Sequence, residues 1–221
     1  MQPKRPYVSP LREQAAARTR ELILGRATEL FAERGYGRVT VADIATAAGV
    51  AAKTVFASVG SKSDILNRIV DHGVDASGYE RAMAALLAGR TPEAVLRTLA
   101  RGTRAGNEGQ FTVHEAIRKA LPVHEDGEAL WQRATADYRD ALRTAARHLH
   151  TLPPPPVYPV AETADLLWQW FGPTGWRSLV VESGWTWERA EDVLYRTALA
   201  ALFPGEPVSG SGEGEDTGPA R

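Results

Sequence analysis

Apolar residues recur at the helical period along almost the whole chain, and this spacing constrains its fold more than any other feature. Near the amino terminus, Ile23, Ala27, Leu30 and Phe31 fall on one face of a helix. In the later part of the chain the pattern stays helical, and no window shows the alternation of a half-buried strand. The sequence therefore predicts an all-α protein.

Glycine and proline positions divide this pattern into helices, because proline blocks a helix and glycine ends one readily. Five prolines in residues 152–159 predict an extended connection, and Pro173 predicts a break or kink. The predicted helices are residues 11–34, 40–48, 51–59, 61–75, 92–104, 128–150, 160–182 and 186–203, with a further helix around residues 111–118.

Two short helices near residue 50 meet the requirements of a helix-turn-helix. Thr40 can cap the first, with Asp43 as its partner in the first turn, and Gly49 ends it. A second short helix follows at residues 51–59, and Ala45 provides the small side chain that close packing of the pair needs. This spacing predicts a DNA-binding unit.

The charge distribution agrees with a polyanion bound at one end of the chain. Residues 1–70 hold 11 Lys and Arg against 6 Asp and Glu, whereas the remainder holds 15 against 21. We expect four regions: a flexible basic arm at 1–10, a helix-turn-helix domain at 11–75, a larger helical ligand-binding and dimerisation domain at 76–203, and a disordered tail at 204–221.

Several classes of site are excluded by composition and motifs. The chain has no cysteine, which rules out disulfides and thiolate zinc sites. Nucleotide-binding loops, the serine nucleophile elbow and helical histidine metal motifs are also missing from the sequence. We therefore expect no catalytic residue, no metal and no cofactor. Without an apolar leader or a long apolar run, we expect a cytoplasmic protein with no membrane partner.

The residues of the amino-terminal region resemble the signature of the TetR family of transcriptional regulators. The segments that carry this resemblance are Phe31-Ala32-Glu33-Arg34-Gly35-Tyr36, Thr40, Ile44-Ala45, Ala48-Gly49-Val50, Lys53-Thr54-Val55-Phe56 and Ser61-Lys62. Near the carboxyl terminus, residues 165–168, 177–180 and 184–185 are similar to the last two helices of actinobacterial-style members.

The resemblance implies a regulator of transcription that binds double-stranded DNA, usually a repressor released from a palindromic operator by a small molecule. It implies that the helix at 51–59 enters the major groove, with Ala51, Ala52 and Lys53 at its base-facing start and Thr54 near the backbone. Phosphates would be flanked by Thr40, Phe56, Ser58 and Lys62, and Arg5 in the basic arm could follow the DNA.

Two positions depart from the family pattern. Phe56 stands where members usually have tyrosine, and Ser58 where they have an aromatic residue or histidine, so a phenolic phosphate contact is missing. This leaves an alternative open: a helical dimeric ligand-binding or interaction protein that has lost specific DNA binding.

A palindromic operator requires a two-fold dimer. We expect its interface on the apolar stripes of the last two helices, with Leu167, Trp170 and Phe171 on one and Leu194 and Ala198 on the other. The alternative is that these stripes are buried only within the monomer.

All six tryptophans follow residue 130, and large aromatic side chains can form the walls of a ligand pocket. Trp131 and Trp168 are the predicted wall residues, and Phe111 and His114 could join them from a middle helix. For each of these, a place in the core or on a solvated face is the alternative.

Overall fold

The amino-terminal helices are joined by glycines in conformations that other residues rarely adopt. The computed structural model describes residues 10–75 and 79–204; Arg5 and the rest of the predicted basic arm before Pro10, and the predicted tail after Pro204, lie outside them. Gly49 adopts φ +66° and Gly60 φ +94°. The elements are α1 (Pro10–Arg34), a 3-10 turn (Tyr36–Arg38), α2 (Val41–Ala48), α3 (Ala52–Val59) and α4 (Lys62–Asp75).

Capping boxes begin both α2 and α4. The Asp43 carboxylate accepts hydrogen bonds from the Thr40 amide (2.8 Å) and hydroxyl (2.6 Å), and the Thr40 hydroxyl accepts from the Asp43 amide. Asp64 and Ser61 form the same arrangement at the start of α4. Because each box satisfies amides that a helix start leaves unpaired, both helix starts are fixed in place.

The remaining described residues form seven more helices and no strand. They are α5 (Tyr79–Leu87), α6 (Pro92–Gly109), α7 (Phe111–Ala120), α8 (Gly127–Leu149), α9 (Val160–Phe171), α10 (Pro173–Arg177) and α11 (Trp187–Leu202), with a π-helical turn at Ser178–Glu182 before α11. The expectation of an all-α fold is confirmed over the described chain. Helix α5 had no counterpart among the predicted helices.

One predicted helix boundary is wrong, and one predicted break is confirmed. Helix α6 continues past residue 104, through Gly106, to Gly109. The helix expected at 160–182 breaks at Pro173 as predicted, because Pro173 has no N–H to donate, and it forms α9, α10 and the π-helical turn. Proline then begins α10 at the helix position that tolerates it.

Two buried clusters hold the helices together, and the first crosses the expected domain boundary at residue 75. It joins Ile23 and Phe31 of α1 to Ile117 and Ala120 of α7 and to Leu130 of α8. The second cluster lies among α5, α6, α8, α9, α10 and α11. The helix-turn-helix is therefore built onto the larger domain through a shared core.

Most of the side chains predicted for the dimer interface lie in the second cluster instead. Leu167, Phe171 and Ala198 are fully buried within the single chain, and Leu194 is 6% exposed. Only Trp170 keeps a partly exposed surface. The prediction is wrong for the four buried side chains, because the packing of α9 against α8 and α11 already covers them.

No single helix in the described ranges is long and apolar enough to cross a membrane. Within those ranges, α2 and α3 taken together have the required length and composition, but their axes are bent by 98°.

Two glycines should respond to alanine in opposite directions. At Gly60 a Cβ would lie 2.5 Å from the Asp64 carboxylate at a positive φ, so Gly60→Ala should lower the free energy of unfolding by about 2 kcal/mol. Gly25 is exposed within α1 and a Cβ there meets nothing, so Gly25→Ala should raise it by about 1 kcal/mol. Urea unfolding measures both, and destabilisation by Gly25→Ala would contradict this reading of α1.

Candidate DNA-binding surface and sensor cavity

The exposed face of α3 is mostly apolar. The helix buries Val55 and Val59 and turns Lys53 and Phe56 outward, the Phe56 side chain being 56% exposed. No side chain caps its start at Ala51, so the first amides are open to an anionic oxygen. Of the predicted DNA contacts in and beside α3, Ala51, Ala52, Lys53 and Phe56 are exposed, and Thr54 and Ser58 are half-buried.

Thr40 is exposed, but its donors are engaged. Both its amide and its hydroxyl donate to the Asp43 carboxylate. These hydrogen bonds hold the pKa of Asp43 below its usual value, so the carboxylate stays ionised at neutral pH. An ionised carboxylate at the start of α2 disfavours a phosphate on the same amides, which weakens the predicted contact at Thr40.

Lys62 has a structural role that the sequence did not indicate. Its ammonium donates to the carbonyl oxygens of Tyr36 and Val39, both at 3.0 Å, and lies 4.2 Å from the centre of the Tyr36 ring. It thereby holds the 3-10 turn against the start of α4. This weakens the predicted phosphate contact, because two of the three N–H groups of the Lys62 ammonium are already used within the chain.

The larger of two cavities has a volume of about 560 Å³ and lies among α5, α6, α7 and α8. Three glycines of α6, Gly102, Gly106 and Gly109, form part of its wall, and a Cβ at any of them meets nothing within 4 Å. The buried hydroxyl of Tyr138 donates to the Phe171 carbonyl and accepts from Asn107. This volume lies in the range of small-molecule sites.

The smaller cavity, of about 190 Å³, is walled by aromatic rings and by charged groups of α7 and α10. Two of the predicted wall residues, Phe111 and Trp131, line it, and His114 lines both cavities. Trp168 lines neither of the two; its ring packs against Tyr138 and under the Arg139 guanidinium. Sequence reasoning missed the other main wall residues, which are Glu115, Trp176, Arg177 and Trp187.

An ion-pair network crosses the wall of the smaller cavity. Glu115 accepts hydrogen bonds from Arg118 (3.0 and 2.8 Å) and from Arg177 (2.8 Å). Burial alone would raise the pKa of Glu115, but the two guanidiniums outweigh it and lower that pKa. Arg177 also pairs with Glu182, so the network ties α7 to the π-helical turn before α11.

Side chains of α7 and of the α7–α8 connection contact the helices of the helix-turn-helix domain directly. Lys119 of α7 donates to the carbonyl oxygens of Ala32 and Glu33 in the last turn of α1. His124 lies 2.9 Å from the Ser63 hydroxyl of α4, and its Nδ1 accepts the Asp126 amide at 3.1 Å. In the neutral ring Nε2 therefore carries the proton and donates to Ser63. Helix α7 thus contacts both a cavity and the reading domain.

Replacing Lys62 should affect stability more than an exposed lysine does. Lys62→Met leaves two carbonyls without their donor, so we expect the free energy of unfolding to fall by about 1–2 kcal/mol. Lys53→Met, at an exposed position, should change it by less than about 0.5 kcal/mol. Urea unfolding compares the two, and equal values would refute the structural role of Lys62.

Acid should destabilise the fold through His114. Burial lowers the pKa of His114 to about 4, so the unfolded chain takes up a proton below pH 6.5 while the folded chain does not. The stability of the native chain should therefore fall as the pH drops from 6.5 towards 4. His114→Gln removes this effect; relative to pH 7, the variant should lose about 2 kcal/mol less than the native chain at pH 5. Urea unfolding at each pH measures the free energy of unfolding. If it fell by the same amount in the native chain and in His114→Gln, His114 would not be the group responsible.

Comparison with known proteins agrees with this geometry. Residues 23–69 match the model of the family described as bacterial regulatory proteins, tetR family. No curated protein sequence matches the chain. Among solved structures, the TetR-family regulator PfmR from Thermus thermophilus is 20% identical, with a TM-score of 0.66, covering 85% of this chain and 97% of its own.

Two further solved structures are similar over most of their length. A putative transcriptional regulator from Saccharomonospora viridis, in complex with choline, is 20% identical at a TM-score of 0.66, covering 83% of this chain and 96% of its own. The regulator FadR from Bacillus subtilis, in complex with stearoyl-CoA, is 16% identical at a TM-score of 0.65, with coverages of 82% and 98%. Residues 23–69 thus match the amino-terminal model of the tetR family, and the chain as a whole has the fold of these solved regulators.

Proposed function

We propose that this chain is a DNA-binding transcriptional repressor that acts in the cytoplasm as a homodimer and is released from a palindromic operator by a small molecule. The observation that carries the proposal is that one helix, α7, lines both cavities and packs against α1 of the helix-turn-helix domain. A ligand in either cavity then changes the position of the DNA-binding helices.

The start of α3 supplies the DNA contacts in this proposal. Its uncapped amides favour a phosphate oxygen, and the exposed Lys53 reaches either a phosphate or a guanine edge. The exposed methyl groups of Ala51 and Ala52 and the Phe56 ring suit thymine methyl groups in the major groove. Arg38, exposed in the 3-10 turn before α2, is an added candidate for a phosphate contact.

Dimerisation follows from the small size of a single reading unit. Two-fold symmetry places two copies of α3 about 34 Å apart, one turn of the DNA helix. We propose that the interface uses exposed apolar surface near α9 and the π-helical turn, in place of the four core side chains predicted from the sequence. Trp170 is partly exposed, and Val160 and Val181 are 37% and 44% exposed.

Release requires that the ligand prefer a dimer whose α3 helices no longer fit the groove. Helix α7 transmits this preference to α1 through the shared core and Lys119, and the α7–α8 connection transmits it to α4 through His124. The similar structures that hold choline and stearoyl-CoA support a ligand-binding role for this domain.

A protein that has lost specific DNA binding is the second candidate. The observation that favours it is the apolar exposed face of α3, together with the engagement of Thr40 and Lys62 within the chain. Such a protein would use the same cavities and dimer surface without binding an operator.

Removing Lys53 should weaken DNA binding in a salt-dependent way. Selection from random double-stranded DNA with the native protein should enrich a palindrome. With Lys53→Ala, affinity for that palindrome should fall about tenfold, and the slope of log affinity against log salt should decrease by about two per dimer, one contact per protomer.

Arg143→Ala is the matched control, because Arg143 is an exposed cation of α8 that pairs with neighbouring Asp140, far from the reading helices in sequence. It should leave the salt slope unchanged. Failure to enrich any palindrome would refute the repressor proposal and favour the second candidate, and enrichment of a single half-site would refute the dimer.

A further inference from the structure

The wall of the smaller cavity contains a buried hydrogen-bond donor with no acceptor. Trp176 is 1% exposed, and its Nε1 has no hydrogen-bond partner among the described residues. Buried indole N–H groups nearly always find an acceptor, because leaving one unpaired is costly. The same side chain lines the cavity and packs against the Trp187 ring, with centroids 5.7 Å apart. An acceptor supplied by a ligand would satisfy this donor.

The charged groups of the same cavity have donors to spare but few free acceptors. Both Glu115 oxygens already accept hydrogen bonds from Arg118 and Arg177. Each guanidinium has five N–H groups and uses two of them in its recorded hydrogen bonds. Both arginines therefore keep N–H groups for a further acceptor, and planar bidentate binding by arginine suits a carboxylate.

Cavities lined by aromatic rings also suit quaternary ammonium ions, so the charged groups of the lining determine whether the ligand is a cation or an anion. The lining holds one carboxylate, Glu115, against two guanidiniums, and the imidazole of His114 is neutral because burial lowers its pKa to about 4. Since Glu115 is already paired twice, it has little attraction left for a cation. The balance favours an anion, while the rings of Phe111, Trp131 and Trp187 favour a flat head group.

The larger cavity suits a different part of the same molecule. The side chain of His114 lines both cavities, so they adjoin. In the larger one, buried Tyr138 and Thr103 have their hydroxyls hydrogen-bonded within the chain. Glycine and apolar side chains supply most of the remaining wall, and its other polar members are Arg81, Thr98, Gln110 and Asp137. Such a wall suits an alkyl or other apolar chain.

We propose that the ligand is an amphipathic aromatic carboxylate, with its ring and carboxylate in the smaller cavity at Trp176 and Arg118 and its apolar chain in the larger cavity along α6. The proposal rests on the sensor function proposed above and names the ligand class of that sensor.

Calorimetric titration of the full chain with three probes tests the proposal. Benzoate represents the head group, 4-hexylbenzoate the head group with its chain, and 4-hexylbenzyltrimethylammonium the opposite charge. We expect 4-hexylbenzoate to bind at least about tenfold more tightly than benzoate and than the ammonium probe. Tighter binding of the ammonium probe, or no binding of either carboxylate at about 10 mM, would overturn the proposal.

Variants locate the two parts of the ligand. Trp176→Phe keeps a ring but removes the N–H. It should lower the affinity for both benzoate and 4-hexylbenzoate about tenfold. Trp185→Phe is the matched control, since Trp185 lines neither cavity and stacks on Arg189, and it should change neither affinity by more than about twofold. Gly106→Leu fills the larger cavity and should weaken 4-hexylbenzoate binding while benzoate binding is unchanged.

Arg118→Gln gives a second test of the head-group site if Trp176→Phe fails to fold, because Arg177 still pairs with Glu115 in that variant. This variant should lower the affinity for benzoate about fivefold. Equal affinity of the native chain and this variant for benzoate would overturn the proposal.

DNA binding, measured separately, distinguishes the site from the function. If the carboxylates bind only when Trp176 is present but do not change the affinity for the operator, the proposed ligand site is supported and release of the operator by the ligand is refuted. Release of the operator by a ligand that does not need Trp176 or Arg118 supports the repressor and refutes this site.

Discussion

The packing of α7 against α1 is the contact on which the rest of the structure depends. Ile117 and Ala120 of α7 are buried in the same cluster as Ile23 and Phe31 of α1, and Lys119 hydrogen-bonds the last carbonyls of α1. Because the contact between α7 and α1 is close-packed, a displacement of α7 toward α1 has to move α1. The same helix forms walls of both cavities, so the shape of the cavities and the position of the helix-turn-helix are set together.

The helix-turn-helix gains order at the expense of polar groups that could have faced DNA. The capping box of Thr40 and the hydrogen bonds of Lys62 fix α2, the 3-10 turn and α4 relative to one another. These side chains then have few donors left for phosphates. In the proposed function, DNA recognition is concentrated at the start of α3, where the amides are uncapped and Lys53 is exposed. A preformed reading unit of this kind loses little conformational entropy when it binds.

Local signals were sufficient to predict most helices, because caps, glycines and apolar spacing act over a few residues. Gly35, Thr40 and Gly49 all mark element ends where the sequence indicated them. What depends on distant partners could not be predicted. The apolar stripe that contains Leu167 has the same sequence pattern whether it packs against another helix of the chain or against a second protomer. Likewise, the sequence pattern does not tell which of Trp168 and Trp176 lines a cavity. The break in the chain before α10 places Trp176 beside one.

The three glycines of α6 have a consequence for how such a regulator can change its specificity. Glycine within a helix is unfavourable by about 1 kcal/mol relative to alanine, so their shared position along the larger cavity costs stability and provides volume. A larger residue at Gly102, Gly106 or Gly109 would shorten the space in steps while strengthening the helix. In the proposed sensor, single-nucleotide changes in these codons thus retune the chain length of the accepted ligand without altering any residue of the proposed DNA-binding surface.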